Sequence, residues 1–76
     1  MNDIELKKIF FQVFPDLEES KFDWKMKQNE YEDWDSFTHL NLITLVEEQF
    51  GISISDDDVI ELKSAEMILN FIERNK

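Results

Sequence analysis

The sequence predicts a small all-α domain, a bundle of four helices in which the third is short and a long loop separates the first two. Three observations lead there. At 76 residues and 42% apolar content the chain is rich enough in hydrophobic side chains to fold and long enough for one core only, so residues 1–76 form a single domain. Apolar residues recur at helical spacing in separate segments. The borders of those segments carry residues that start or stop helices: Pro15, Asp35-Ser36, Gly51, Ser55 and Ser64.

In the first segment, Ile4 to Phe14, the apolar residues Leu6, Ile9, Phe10, Val13 and Phe14 form one stripe, and Pro15 ends it. Asn2 or Asp3 is placed to cap the start, and Asp3 and Glu5 ahead of Lys7 and Lys8 suit the helix dipole. Residues 15–35 have no sustained period but hold Leu17, Phe22, Trp24, Met26, Tyr31 and Trp34. They read as a long loop, with room for a short turn, whose aromatic residues pack across the helices.

Asp35-Ser36 opens the second helix, which runs to Phe50 and is stopped by Gly51, a residue suited to the left-handed cap. On a wheel at about 100° per residue, His39, Leu42, Ile43, Val46 and Phe50 gather on a core side. Phe37, Leu40, Asn41, Thr44, Glu47 and Glu48 gather on the other. Two outward apolar residues followed by two acids make the profile of a docking surface.

Gly51-Ile52-Ser53-Ile54 alternates for four residues and reads as an extended connector that buries two isoleucines. Ser55, with Asp58 three residues on, is a capping-box start for a short helix whose apolar side is Val59, Ile60 and Leu62. Ser64 caps the last helix, where Ala65, Ile68, Leu69 and Ile72 form the stripe, Met67 and Phe71 flank it, and Arg74 and Lys76 suit the C-terminal end.

Charge and composition exclude several functions. The chain has 18 acids, 8 Lys and Arg, a net charge of −10 and no cysteine. Disulfides, thiolate metal sites and a thiol nucleophile are therefore excluded, and reactive sulfur would have to arrive on a cofactor. The acidity argues against nucleic acid and favours a partner with a basic surface. The start of the chain has no basic opening followed by an apolar run, and no stretch approaches the roughly 20 apolar residues of a membrane span. The expectation is a soluble, cytoplasmic monomer that binds no membrane.

Between Lys27 and Lys63 there is no Lys or Arg, while Glu30, Glu32, Asp33, Asp35, Glu47, Glu48, Asp56, Asp57, Asp58 and Glu61 all fall in that interval. Asp56-Asp57-Asp58 lacks the alternating ligands, central Gly and distal Glu of a calcium loop, and it reads as acids favoured in a first helical turn, with no metal. His39 is the only histidine, lies on the core side and fits no Ser/His/Asp or Cys/His constellation. It is a structural residue, and no catalytic residue is assigned. A single glycine leaves no Gly-rich phosphate loop.

The remaining motif is Trp34-Asp35-Ser36-Phe37. Its serine falls at the first turn of a helix, where free N–H groups and the dipole favour a phosphate ester, beside an outward apolar pair and ahead of the acids. From Trp34 to Asp58 the chain closely resembles the attachment segment of acyl carrier proteins. The residues that carry the likeness are Asp35-Ser36, the helix ending Leu45-Val46-Glu47-Glu48-Gln49-Phe50-Gly51-Ile52, and the connector Ile54-Ser55-Asp56-Asp57. The resemblance continues through Leu62, Ser64, Ile68 and Ile72, covering about residues 34–75, while the first helix agrees in placement only.

The resemblance implies an acyl-carrier-like four-helix bundle in which Ser36 bears a 4′-phosphopantetheine arm. The arm comes from coenzyme A by the action of a phosphopantetheinyl transferase with magnesium, and its thiol holds acyl or aminoacyl groups as thioesters. Asp35 orients the serine and helps to dock the transferase. Partner enzymes, an adenylating ligase or an acyltransferase or synthase, dock on Phe37, Leu40, Asn41, Thr44, Glu47 and Glu48. The protein is then a carrier and not an enzyme. Phe37 stands where the family has Leu, Asn41 where fatty-acid carriers have Glu, and Thr44 where they have an apolar residue. With Trp34 before the motif and His39 three residues after the serine, the pattern resembles stand-alone carriers of specialised biosynthetic pathways. The alternative from another class is an unmodified acidic helical adaptor that binds a basic protein partner.

Overall fold

The structure is a computed structural model, and it describes residues 2–75. Four α-helices follow one another: α1 (Asn2–Val13), α2 (Ser36–Phe50), α3 (Asp56–Glu61) and α4 (Ala65–Asn75). The described residues are all-α apart from one isolated bridge between Lys27 and Ser64. The expected contribution of Lys76 to the end of α4 lies outside the described residues.

α1 is already helical at Asn2, so Asn2 and Asp3 sit within its first turn rather than at a cap. It ends at Val13, and Phe14 N–H still donates to the Phe10 carbonyl at 2.8 Å before Pro15 turns the chain away. α2 has the expected boundaries. Asp35 is its N-cap, accepting from Thr38 N–H, and Gly51 closes it at φ 64° in the left-handed conformation that a side chain disfavours.

Ser55 is the N-cap of α3: its Oγ accepts from Asp58 N–H at 3.3 Å while its hydroxyl donates to Asp58 Oδ2 at 2.9 Å. The Asp58 carboxylate thus receives the serine hydroxyl, a variant of the expected reciprocal cap. Ser64 Oγ accepts from Met67 N–H at 3.2 Å and opens α4.

One core joins the elements. Leu6, Ile9 and Phe10 of α1, Leu42, Ile43 and Val46 of α2, Leu62, and Ala65, Ile68 and Ile72 of α4 are buried in it together with Phe14, Trp34, Phe50, Ile54 and Phe71. α1 is the hub, packing on both α2 and α4. Two residues differ from the amphipathic reading. Phe71, at the flank of the predicted stripe, is buried, and Ile60, on the predicted apolar side of α3, is 68% exposed. A six-residue helix makes fewer than two turns, so only Val59 and the following Leu62 face the bundle and Ile60 is carried outward.

The loop from Phe14 to Asp35 is ordered by aromatic contacts, as its composition predicts. Phe10 meets Phe22 and Trp34 edge-on at 5.6 Å each, Phe14 stacks on Tyr31 at 5.2 Å, and Tyr31 meets Trp34 at 4.9 Å. Two 3₁₀ turns, Glu19–Lys21 and Gln28–Glu30, satisfy part of its backbone locally. The rest pairs with the segment around Ser64: Gln28 N–H donates to the Lys63 carbonyl at 2.6 Å and Glu66 N–H to the Trp24 carbonyl at 2.9 Å. Lys7 of α1 holds the first 3₁₀ turn, 3.6 Å from Glu19 and over the Phe22 ring. No described helix is long and apolar enough to cross a membrane.

Candidate functional site

Ser36 is the first residue of α2 and is exposed, and its hydroxyl makes no hydrogen bond among the described residues. Its position follows from the residue before it. Asp35, in extended backbone, turns its carboxylate onto the open end of the helix, where Oδ1 accepts from Thr38 N–H at 2.8 Å. That bond, first among several with the helix N-terminus that include Phe37 N–H, holds the Asp35 carboxyl below its ordinary value of 3.8. The carboxylate stays charged beside a free hydroxyl, and the serine remains available to an enzyme from outside. An exposed primary alcohol with no internal partner fits a covalently attached phosphate ester.

The face beyond it is arranged as the helical wheel predicts. Phe37 is 81% exposed and Leu40 is 58% exposed, and Asn41, Thr44 and Glu48 point to solvent on the same helix. Thr44 turns its hydroxyl back to the Leu40 carbonyl at 2.9 Å, so its methyl group is the part left to meet a partner. His39, Leu42, Ile43, Val46 and Phe50 are all buried on the opposite side.

Glu47 differs from the other five. It is half-buried, and its Oε2 accepts from Ile54 N–H at 2.8 Å, clamping the connector that follows Gly51 against the end of α2. One of the two acids expected for docking is thereby partly committed to the fold, and Glu48 is the freer charge.

The structure adds residues that the sequence reading did not assign to the site. Trp34 Nε1–H donates to His39 Nδ1 at 2.9 Å, and His39 Nε2 lies 2.7 Å from the Val59 carbonyl. An indole N–H can only donate, so Nδ1 must accept and Nε2 carries the proton that goes to Val59. Val59 lies near the end of α3, where carbonyls lack helical partners, and the imidazole satisfies one of them. The chain of bonds ties the residue two before Ser36 to α2 and to α3. Its signal in the sequence was a lone histidine on an apolar face, which needs partners when buried. The exposed Ile60 on α3 is a further apolar residue available to a partner, alongside Phe37 and Leu40.

Among the described residues no group of three or more His, Cys, Asp or Glu is placed to hold a metal ion. No protein-family model and no curated protein matches the chain.

Proposed function

We propose that the protein is an acyl carrier whose fold is the acyl-carrier type of four-helix bundle and whose Ser36 takes a 4′-phosphopantetheine arm from coenzyme A. The observation that carries the reading is the exposed, unbonded Ser36 hydroxyl at the first turn of α2, capped by a charged Asp35 and followed by the exposed Phe37 and Leu40. When attached, the arm supplies a thiol that holds acyl or aminoacyl groups as thioesters.

The chain's own residues have defined parts. The Ser36 oxygen forms the new bond to the phosphorus next to pantetheine in coenzyme A, the adenosine bisphosphate portion leaves, and the serine proton passes to a base on the transferase. Asp35 keeps the serine at the helix start and offers a charge to the basic surface of that transferase. Phe37, Leu40, Asn41, Thr44 and Glu48, with Glu47 at the edge, form the face on which an adenylating ligase, acyltransferase or synthase docks. The carrier acts in the cytoplasm as a monomer within a specialised biosynthetic pathway and catalyses nothing itself.

The test is the intact mass of the protein before and after incubation with a broad-specificity phosphopantetheinyl transferase, coenzyme A and magnesium, with Ser36→Ala alongside. Wild type gains one phosphopantetheine and the variant none. Modification of Ser36→Ala overturns the assignment of the site. No gain on wild type, with a control carrier modified in the same reaction, overturns the carrier reading and favours an unmodified acidic adaptor. The exposed run Asp56-Asp57 and the exposed Glu48 would then serve a basic partner.

A further inference from the structure

The two lysines that bound the acidic interval meet in the fold. The Gln28–Lys63 backbone bond and the bridge between Lys27 and Ser64 bring the loop before α2 against the segment before α4. Lys27 and Lys63 both line an open cavity of about 500 Å³, together with Gln28, Asn29, Tyr31 and Trp34. Its lining residues include two lysines and two side-chain amides and no acid, in a chain whose acids outnumber Lys and Arg 18 to 8, and Gln28 Nε2 donates to the Trp34 carbonyl at 3.3 Å. The ion pairs among the described residues belong to Lys7 and Lys21, so neither cavity lysine has a carboxylate within ion-pair distance there.

Tyr31 forms part of the wall, and its hydroxyl is shut off from water and makes no hydrogen bond. A buried hydroxyl in that condition is unfavourable until an acceptor reaches it. Burial, with Asp23 and Glu30 nearby, keeps the phenol neutral to higher pH than its ordinary value of 10.0, so it remains a donor. Asp23 accepts from Lys25 N–H at 2.9 Å and Glu30 from Lys27 N–H at 2.7 Å, and both keep their charge near the phenol.

We propose that this cavity binds a carboxylate or phosphate group and, resting on the carrier reading, that the group is the far end of an acidic cargo attached through Ser36. Two lysines beside the side-chain amides of Gln28 and Asn29 suit an oxyanion and repel the free ammonium of an aminoacyl cargo. The arm has to fold back along the protein to bring the far end of the cargo to the cavity, whose Trp34 is two Cα steps from Ser36, at most about 7.6 Å. The cargo class is therefore an acyl group that ends in a carboxylate or phosphate.

The site itself is tested on unmodified protein by two-dimensional ¹H–¹⁵N NMR, titrating sodium phosphate or sodium succinate against sodium chloride of equal ionic strength. Saturable shifts are expected at the Gln28, Asn29 and Tyr31 amides and the Trp34 indole N–H. Lys27→Met or Lys63→Met should weaken binding about tenfold, the size of one charge-assisted hydrogen bond. Lys8→Met, at an exposed position of α1 outside the cavity, should not. Tyr31→Phe should leave resistance to urea equal or higher, because it removes an unpartnered buried polar group.

Absence of saturable shifts, or equal weakening by Lys8→Met, overturns the site. The source of the anion is tested on protein whose arm carries succinyl or butyryl. Shifts at the same amides with succinyl alone support the cargo assignment. If free anions bind and succinyl produces no such shifts, the cargo assignment is overturned and the cavity is a site for a free anion. If Ser36 accepts no arm, the carrier reading falls and the titration on unmodified protein still decides the cavity.

Discussion

Replacing His39 by leucine separates a hydrogen-bonding strut from simple core filling. The ring is 7% exposed and bridges Trp34 Nε1 and the Val59 carbonyl at 2.9 and 2.7 Å. Leucine keeps an apolar group of similar size in place and removes both partners. The indole N–H, on a side chain 4% exposed, loses its acceptor, and the Val59 carbonyl becomes an orphan near the end of α3. An unmade buried hydrogen bond costs about 1–3 kcal/mol, with the indole near the upper part of that range and the part-buried carbonyl near the lower. Allowing for the apolar surface that leucine adds, the net loss is about 2–4 kcal/mol. A domain of this length has about 4–11 kcal/mol in all, and Tm should fall by roughly 10–25 °C.

Urea unfolding followed by circular dichroism would measure the loss in His39→Leu, in Trp34→Phe and in the double variant. Both single changes break the same Trp34–His39 bond, so the double variant should be less destabilised than their sum by about 1–2 kcal/mol. Stability of His39→Leu equal to wild type, or strict additivity, would refute the strut.

Other perturbations have equally definite outcomes. Glu47→Ala should lower stability by about 1 kcal/mol through the lost Ile54 bond, while Glu48→Ala should leave urea unfolding unchanged and weaken binding to a partner enzyme. Gly51→Ala should cost about 1 kcal/mol from its φ of 64°, since nothing within 4 Å would meet the new Cβ; a larger loss by thermal melting would point to a clash. The Asp35 carboxyl is held below 3.8, so its contribution to stability is present above that pH and disappears as pH falls through the lower native value. Urea midpoints measured from pH 5 downward should therefore decline less steeply for Asp35→Asn than for wild type, and parallel curves would contradict the assignment.

Much of the candidate site was legible because it is local. A cap acts within three residues, a left-handed stop needs one glycine, and a wheel needs only the helical period, so Asp35, Gly51 and the division of α2 into Phe37 and Leu40 outside and Leu42 and Val46 inside follow from neighbours in the chain. Ile60 was misplaced because the period is a weak guide over six residues, where the helix packs through one residue and its C-terminal neighbour. The loop was legible in kind, since its aromatic residues had to be buried somewhere, but not in its partners.

By itself the sequence determined a single-core helical protein, the boundaries of its second helix, a serine at the start of that helix and an acidic, base-free stretch around it. Those properties depend on composition and on interactions within one or two turns. Tertiary structure alone decided that Glu47 clamps Ile54, that His39 spans from Trp34 to Val59, and that Lys27 and Lys63 share one cavity. Each of these joins groups on different elements, and their meeting depends on how α1 packs on α2 and α4 and draws the loop across them, which no local pattern encodes.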